Sequence, residues 1–199
     1  MPDAAPGPLL VVITGPSGVG KDTVLSRLKA LKRPYHFAVT ATTRPPRPEE
    51  TDGLDYFFLS DQQYDDMLAR GEFLEHATVY AHRYGVPKPP IRDALAAAKD
   101  VLMRTDIQGA RYIKSLCPAA LTIFVLPPSG EEMEWRLRAR ATDAPEQLEV
   151  RLRTARDELA AAEDFDHAVV NDDLNACVDE IERVLAAERS RKGRQSVRL

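Results

Sequence analysis

A glycine-rich loop near the start of the chain lies between a strand pattern and a helix pattern. Residues 9–13 form the apolar run LLVVI, and a helical pattern begins near Thr23. The loop between them reads Gly15-Pro16-Ser17-Gly18-Val19-Gly20-Lys21-Asp22. Backbone N–H groups of such a loop can form an anion nest, and both the helix N-terminus and the lysine add positive charge. The order of strand, loop, lysine and helix predicts a phosphate-binding loop that holds a nucleotide with residues 15–23.

Asp22 departs from the usual pattern, in which a serine or threonine hydroxyl follows the lysine and ligates Mg²⁺. Thr23 cannot take over that role, because one step along a helix turns the side chain by roughly 100°. The Asp22 carboxylate could bind Mg²⁺ directly, although its charge would also repel the phosphates. At an effective dielectric near 20, unit charges about 4 Å apart interact by roughly 4 kcal/mol, so the two effects are comparable. We assign Asp22 as the metal ligand.

Length and composition limit the classes of protein that remain. A chain of 199 residues can form one α/β domain with smaller inserted lobes. The formal charge of -4 argues against nucleic acid as the main partner. The sequence carries no signal-peptide pattern and no apolar run of the roughly 20 residues that span a membrane. We expect a cytoplasmic protein without a membrane partner, either a monomer or a homodimer.

Strand-like and helical patterns alternate along most of the chain. The predicted strands are residues 9–14, 37–42, 101–103, 122–126 and 167–170. The predicted helices are residues 23–31, 108–116, 131–140, 147–162 and 174–188. This alternation is typical of a parallel sheet with helices on both faces and a ligand beyond the carboxyl ends of its strands.

Three stretches depart from that alternation. Residues 44–90 contain six prolines, two strand candidates at 56–59 and 73–80, and a short helix candidate at 61–70. They indicate an inserted α+β lobe over residues 37–90. The polar link 141–146 could form the tip of a lid over residues 131–159. The basic residues 189–199 are interpreted as a frayed, solvated tail. The core is then residues 8–36, 91–130 and 160–188 of a single domain.

Several short motifs in the lobe and after it resemble those of one enzyme family. They read TATTRPPRP at 40–48, DGLDYFF at 52–58, EFLEHA at 72–77, YGVP at 84–87, DIQGA at 106–110 and VNDDL at 170–174. Over residues 8–188, and in family order, the chain resembles the guanylate kinases. The resemblance implies an α/β P-loop nucleoside-monophosphate kinase fold: a parallel five-stranded sheet, an inserted α+β GMP-binding lobe and a helical lid. It also implies the reaction of ATP with GMP to give ADP and GDP, with Mg²⁺.

In this family the lobe binds GMP, and the matching positions here are Thr40, Arg44, Arg47, Tyr56, Glu75, Tyr84 and Asp106. The guanidiniums of the two arginines can form bidentate hydrogen bonds with a dianionic phosphate, and the tyrosines can add hydroxyl donors. Guanine donates at N1 and N2 whereas adenine accepts at N1, so the acceptor-only carboxylates of Glu75 and Asp106 favour guanine. Thr40 corresponds to a small hydroxyl residue that contacts the edge of the base.

The resemblance also supplies residues for the transfer step. Lys21 and the lid-side arginines Arg136, Arg140 and Arg151 would neutralise charge on the transferred phosphoryl group. Arg136 and Arg140 are four residues apart, on one helical face. These arginines could instead pair with glutamates on exposed helices, at 132 and 149. Asn171 would help to hold the adenine of ATP, and the two aspartates that follow it could cap the next helix.

Two more positions depart from the family pattern, and two other functions remain open. Val86 stands where serine or threonine is common, and we leave it out of the site. Arg104 stands where an acidic residue is common, two positions before Asp106.

An aspartate after the loop lysine also resembles ribose-bisphosphate phosphokinases, which are related P-loop small-molecule kinases. The remaining alternative is a non-catalytic guanylate-kinase-like binding module, in which the loop chemistry is lost.

Overall fold

The computed structural model describes residues 7–79, 81–139, 152–154 and 156–199. Five of the strands in these segments are β1 (Leu10–Thr14), β2 (His36–Phe37), β7 (Val101–Arg104), β8 (Leu121–Leu126) and β9 (His167–Val170). They form one parallel sheet in the order β2-β7-β1-β8-β9. The prediction of a parallel five-stranded sheet is confirmed.

A second, mixed sheet and its helix are built from the inserted residues. The strands are β3 (Ala41–Thr42), β4 (Phe57–Phe58), β5 (Phe73–Val79) and β6 (His82–Pro87), in the order β4-β3-β6-β5. Helix α2 (Asp61–Ala69), predicted over 61–70, begins at a capping box formed by Ser60 and Gln63. The α+β character of this insertion therefore agrees with the sequence prediction.

Helices cover both faces of the parallel sheet. They are α1 (Lys21–Ala30), α3 (Lys88–Ala96), α4 (Ile107–Leu116), α5 (Gly130–Ala139) and α6 (Leu174–Ser190), with a short 3₁₀ helix at Ala160–Asp164. Alternate residues of β1 point to opposite faces, because side chains alternate along a strand. Val11 and Ile13 join a cluster that includes residues of α1 and α6, whereas Leu10 and Val12 join one that includes residues of α3 and α4. No helix in the described segments is both long and apolar enough to cross a bilayer.

The single strand predicted at 37–42 is wrong, because the structure divides it between the two sheets. His36–Phe37 pairs with β7, and Ala41–Thr42 pairs with β4 and β6. The apolar run is continuous in sequence, but its pairing partner changes between the two halves. The chain passes at this point from the core sheet into the inserted sheet.

The sequence pattern did not indicate helix α3, because closely spaced prolines such as those at its start are typical of turns. Pro87 is the N-cap, and Pro89 and Pro90 lie in the first turn of the helix. Proline is tolerated there because the first N–H groups of a helix have no partner within the helix. The prolines therefore mark the start of a helix that leads the chain back to the core sheet.

The interpretation of residues 189–199 as a frayed tail is also wrong. Helix α6 continues to Ser190, and Arg189 forms an ion pair with Asp100 at 2.6 Å. The side chain of Arg194 donates to the carbonyl of Gly7, and the residue is only 8% exposed. Val197 and Leu199 pack against the cluster on the α3 and α4 face. These apolar side chains hold the segment against the core. The sequence did not indicate this, because most of the segment is basic or polar.

Candidate active site

The glycine-rich loop follows β1 and ends at the first turn of α1. Gly20 is the N-cap of α1 with φ 95°, in the left-handed region that favours glycine. A Cβ on Gly20 would lie 2.7 Å from Nδ2 of Asn171, and one on Gly15 would lie 2.4 Å from the carbonyl oxygen of Val125. Backbone conformation and close packing together require glycine at both positions. The loop is thereby held tightly against the carboxyl ends of β8 and β9.

Asn171 supports the loop from the neighbouring strand. Its Nδ2 donates to the carbonyl of Val19 at 2.8 Å, and the residue is 7% exposed. Its own N–H donates to the carbonyl of Leu126, at the end of β8. Asp173, close by, accepts from the N–H of Ala176 and caps α6, as one reading of the sequence suggested. The sequence had suggested an adenine contact for Asn171, whereas the structure gives it a contact with the loop backbone.

Lys21 lies over the loop with its ammonium directed at two loop carbonyls. The Nζ atom donates to Gly15 O at 2.6 Å and to Pro16 O at 2.9 Å. Burial lowers the pKa of Lys21, and the nearby carboxylates of Glu158, Asp22 and Asp106 oppose that shift. A buried ammonium that is incompletely compensated favours an incoming anion.

A carboxylate already occupies one donor of the loop. The N–H of Ser17 donates to Oε2 of Glu158 at 3.2 Å. Glu158 belongs to the stretch interpreted as the lid, and nothing in its sequence context marked it as a partner of the loop. An anionic oxygen at this N–H indicates that the loop presents a donor suited to a phosphate oxygen.

Asp22 and Arg104 form an ion pair between α1 and the end of β7. Their Oδ1 and Nε atoms are 2.7 Å apart, and their side chains are 73% and 44% exposed. The register of the core sheet explains the contact, because Arg104 lies beside Ile13 of β1 just before the loop begins. The two departures from the family pattern that lie closest to the loop are therefore in direct contact with each other.

Two arginines of the inserted lobe are organised by one acidic residue, Glu50. Arg44 Nη2 lies 2.8 Å from Glu50 Oε1, and the N–H of Arg47 donates to Glu50 Oε2 at 2.8 Å. The Arg44 guanidinium also lies 5.4 Å from the ring centroid of Tyr56. The hydrogen bond to Glu50 raises the pKa of Arg44, with a smaller contribution from Tyr84. Sequence reasoning missed Glu50, whose carboxylate contacts the Arg44 guanidinium and the backbone N–H of Arg47.

The two acidic residues assigned to the base come together from different elements. Glu75 is on β5, and Asp106 is the N-cap of α4, where it accepts from the N–H of Gly109 at 2.7 Å. A Cβ on Gly109 would lie 3.2 Å from Oε2 of Glu75 and 3.3 Å from Oδ1 of Asp106. Burial raises the pKa of Glu75, and the charge of Asp106 raises it further. Both carboxylates line a cavity of about 460 Å³.

A smaller cavity of about 210 Å³ connects the loop side of the core to the inserted lobe. Asp22 and Arg104 line it from the core, and Thr40, Glu50 and Tyr56 line it from the lobe. The cleft therefore lies between Asp22, at the end of the loop, and Glu50 and Tyr56, two residues that contact Arg44. Two larger cavities, of about 600 Å³ and 1010 Å³, contain residues at the amino ends of the strands, away from the loop.

The lid-side arginines lie in or after α5 in the sequence. Arg140 and Arg151 lie outside the described residues, as do 141–150. Arg136 lies within α5, of which only the backbone can be described at that position. Val86, which was left out of the site, is 3% exposed and packs into the core.

Known proteins of one family are similar to this chain over most of its length. The family model described as guanylate kinase matches residues 8–188. The chain belongs to the guanylate kinase family. A guanylate kinase of Gloeobacter violaceus is 48% identical over 179 residues, which cover 90% of this chain and 87% of the relative. One of Thermobifida fusca is 44% identical over 178 residues, covering 89% and 91%.

A solved member of the family shares the fold. The crystal structure of guanylate kinase from Anaplasma phagocytophilum matches with a TM-score of 0.73 and 29% identity, covering 95% of this chain and 90% of that one. With the five-stranded parallel sheet, this match establishes the α/β fold of a P-loop nucleoside-monophosphate kinase.

Proposed function

We propose that this guanylate kinase family member transfers the γ-phosphoryl group of ATP to GMP, giving ADP and GDP. The observation that carries the proposal is the shared cleft: Asp22, at the end of the phosphate-binding loop, lines it from one side, and Glu50 and Tyr56, which contact Arg44, line it from the other. Phosphoryl transfer depends on positioning and charge neutralisation more than on covalent help from the protein. Two anion sites that face each other provide both.

On the ATP side, residues 15–23 would hold the phosphates. The N–H of Ser17, now bonded to Glu158, would donate to a phosphate oxygen, and the helix N-terminus at Gly20 would add positive potential. Lys21 would turn from the loop carbonyls to the phosphates. Asn171 would act mainly by holding the loop through Val19, whatever contact it makes with the adenine.

On the GMP side, the phosphate of the substrate would replace the Glu50 carboxylate as the partner of the Arg44 guanidinium and the Arg47 N–H. Tyr56 and Tyr84 pack edge to face, with ring centroids 6.2 Å apart, beside the Arg44 guanidinium and would add their hydroxyls. Thr40, Glu75 and Asp106 would recognise the base. A base without the N1 and N2 donors of guanine would leave the half-buried carboxylate of Glu75 and the exposed one of Asp106 without donors from the base, which would weaken its binding.

The donor set fits Mg²⁺ in the manner usual for nucleotide kinases. The described residues contain no group of three or more His, Cys, Asp or Glu side chains that could form an all-protein site. Mg²⁺ generally binds through one or two carboxylates, several waters and the substrate phosphates. Asp22, exposed at the first turn of α1, would be the protein ligand. When bound, the ion would neutralise phosphate charge.

The remaining assignments rest on the family likeness. Arg136, Arg140 and Arg151 would complete the site from a lid over residues 131–159, and residues 37–90 would form the GMP-binding lobe of a single domain. We also propose a cytoplasmic monomer or homodimer that has neither nucleic acid nor a membrane as its partner.

A coupled assay of ADP formation tests the proposal with ATP and a panel of GMP, AMP, UMP and ribose bisphosphate. We expect turnover with GMP and little with the others. Turnover selective for ribose bisphosphate would identify the other kinase, and turnover with none would identify a binding module. Lys21→Ala should lower kcat with GMP, whereas Glu75→Ala should mainly reduce the preference for GMP over AMP. An unchanged preference in Glu75→Ala would contradict the guanine assignment.

A further inference from the structure

Arg104 is a cation on the wall of the cleft, and the proposed reaction gives it no role. It is the last residue of β7, and its guanidinium pairs with Asp22 at 2.7 Å. Nearly half of its side chain surface is exposed, at 44%, and that surface lines the 210 Å³ cavity. Thr40, Glu50 and Tyr56 line the same cavity from the lobe. Arg104 is thus positioned between the phosphate loop and the residues around the GMP phosphate site.

The charges near the loop explain why a cation is needed there. The Asp22 carboxylate follows Lys21 directly, so a phosphate that approaches the lysine also approaches a negative charge. Arg104 offsets that charge through the ion pair. Arg104 therefore influences the place where the phosphates would bind.

We propose that Arg104 is a catalytic residue whose guanidinium contacts the transferred phosphoryl group between the two nucleotides. The proposal rests on the proposed function. In the transfer, a phosphate oxygen of GMP forms a bond to the γ-phosphorus, and the bond from that phosphorus to the β–γ bridging oxygen breaks. The bridging oxygen leaves on ADP with the electron pair. Arg104 remains protonated throughout and binds the negative charge carried by the moving group.

The geometry favours this role over a purely structural one. An ion pair that is exposed on both sides contributes little to stability, so holding α1 against β7 does not require Arg104. A guanidinium presents several donors, and it can keep one contact with Asp22 while others turn towards a phosphate. Both side chains of the pair line the cavity, so the guanidinium can turn towards it.

The experiment compares Arg104→Gln and Arg104→Lys with the wild type and with Arg111→Gln. Arg111 is a matched control: it forms an exposed ion pair with Asp164 and does not line the cleft. We expect Arg104→Gln to lower kcat by about 10-fold to 100-fold, the range for one charge-assisted contact, and Arg104→Lys to recover part of the loss. Arg111→Gln should match the wild type. Equal kcat in Arg104→Gln and Arg111→Gln would overturn the proposal.

A double-mutant cycle separates a contact with phosphate from a partner role to Asp22. Asp22→Ser restores the hydroxyl of the usual loop pattern and removes the carboxylate that Arg104 offsets. If Arg104 contacts the phosphoryl group, Arg104→Gln still lowers kcat about 10-fold or more in the Asp22→Ser background. If it only neutralises Asp22, the loss disappears, and the proposal is wrong.

A binding measurement provides a readout that does not depend on turnover or on Mg²⁺. Titration calorimetry with ATP, without GMP and in the presence of a chelator, should show weaker binding to Arg104→Gln than to Arg111→Gln, both with Asp22 in place and in the Asp22→Ser background. Equal affinities would count against a phosphate contact. Wild-type protein that forms no ADP with GMP would contradict the proposed function instead, so the two failures are distinguishable.

Discussion

At the scale of single residues, the proposed base site brings two carboxylates, those of Glu75 and Asp106, close to each other. Glu75 is half-buried beside Asp106, and it accepts a long hydrogen bond of 3.4 Å from the hydroxyl of Thr105. Burial raises the pKa of Glu75, with Asp106 adding a second contribution. The guanine N1 and N2 donors would supply stronger partners for these carboxylates. The site is therefore arranged to gain hydrogen bonds when GMP binds.

This raised pKa predicts a pH dependence of GMP binding. The ionised form of Glu75 accepts from guanine, and its population falls as the pH drops towards the raised pKa. The KM for GMP should therefore rise on acidification before an ordinary glutamate, with a pKa of about 4.3, would protonate. Kinetics between about pH 5 and 8 measure the effect. Glu75→Gln should show a higher KM with no such rise, whereas Glu72→Gln should keep the wild-type profile.

The same shift has an effect of opposite sign on folding. A carboxyl whose pKa is higher in the folded state binds more protons there than in the unfolded chain. Its contribution to the free energy of unfolding is therefore lost as the pH rises from the ordinary glutamate value through the raised one. Glu75→Gln should remove that decline in urea unfolding. A wild-type decline that persists in Glu75→Gln would assign it to another group.

At the scale of elements, the β5–β6 pair positions the base site and depends on close packing. Gly85 on β6 lies opposite His76 on β5, and a Cβ on it would lie 2.7 Å from Cδ1 of Phe73. Phe73 in turn stacks on Tyr64 of α2, with ring centroids 4.5 Å apart. The hydroxyl of Tyr64 donates to the carbonyl of Tyr84 at 2.8 Å. Packing fixes the sheet that carries Glu75 and Tyr84.

Gly85→Ala should disturb this sheet. Forcing a methyl group against the Phe73 ring costs about 1–3 kcal/mol, as is typical of overpacked sites. The KM for GMP should rise, while the KM for ATP should change little because the loop lies on the other sheet. Gly130→Ala is the matched control, since nothing lies within 4 Å of a Cβ there. Urea unfolding and steady-state kinetics provide the measurements, and equal behaviour of the two variants would contradict the prediction.

At the scale of the whole molecule, the C-terminal segment links parts of the chain that are distant in sequence. Arg189 pairs with Asp100, which also accepts from the N–H of Leu9 at 2.7 Å. Arg194 reaches the carbonyl of Gly7, and residues 197 and 199 cover part of the core. These contacts lie at the amino ends of β1 and β7, opposite the phosphate loop.

Removing residues 191–199 should therefore lower stability without lowering kcat. Loss of the packing of two partly buried apolar side chains against the core and of the Arg194 contact should cost about 2 kcal/mol, or about 4–8 °C in Tm. Arg198→Ala removes a charge from an exposed position of the same segment and should leave Tm unchanged. An unchanged Tm in the truncated protein would restore the interpretation of a solvated tail.

The sequence by itself determined the class of fold and the chemistry of the loop. Apolar runs that alternate with helical patterns require a parallel sheet, and the glycine-lysine spacing places backbone donors and a cation at its carboxyl edge. Both signals are local, because each depends on residues close together along the chain. The same local patterns could not identify α3 or divide residues 37–42 between two sheets.

Only the tertiary structure decided which charges meet. Arg104 lies 82 positions after Asp22, and Glu158 lies 141 positions after Ser17, yet each pair is in contact. Strand order and register bring such residues together, and pairing partners in a sheet leave no periodic trace in the sequence. The C-terminal segment is another example. Its few apolar residues are buried only because the folded core offers a surface on which they can pack.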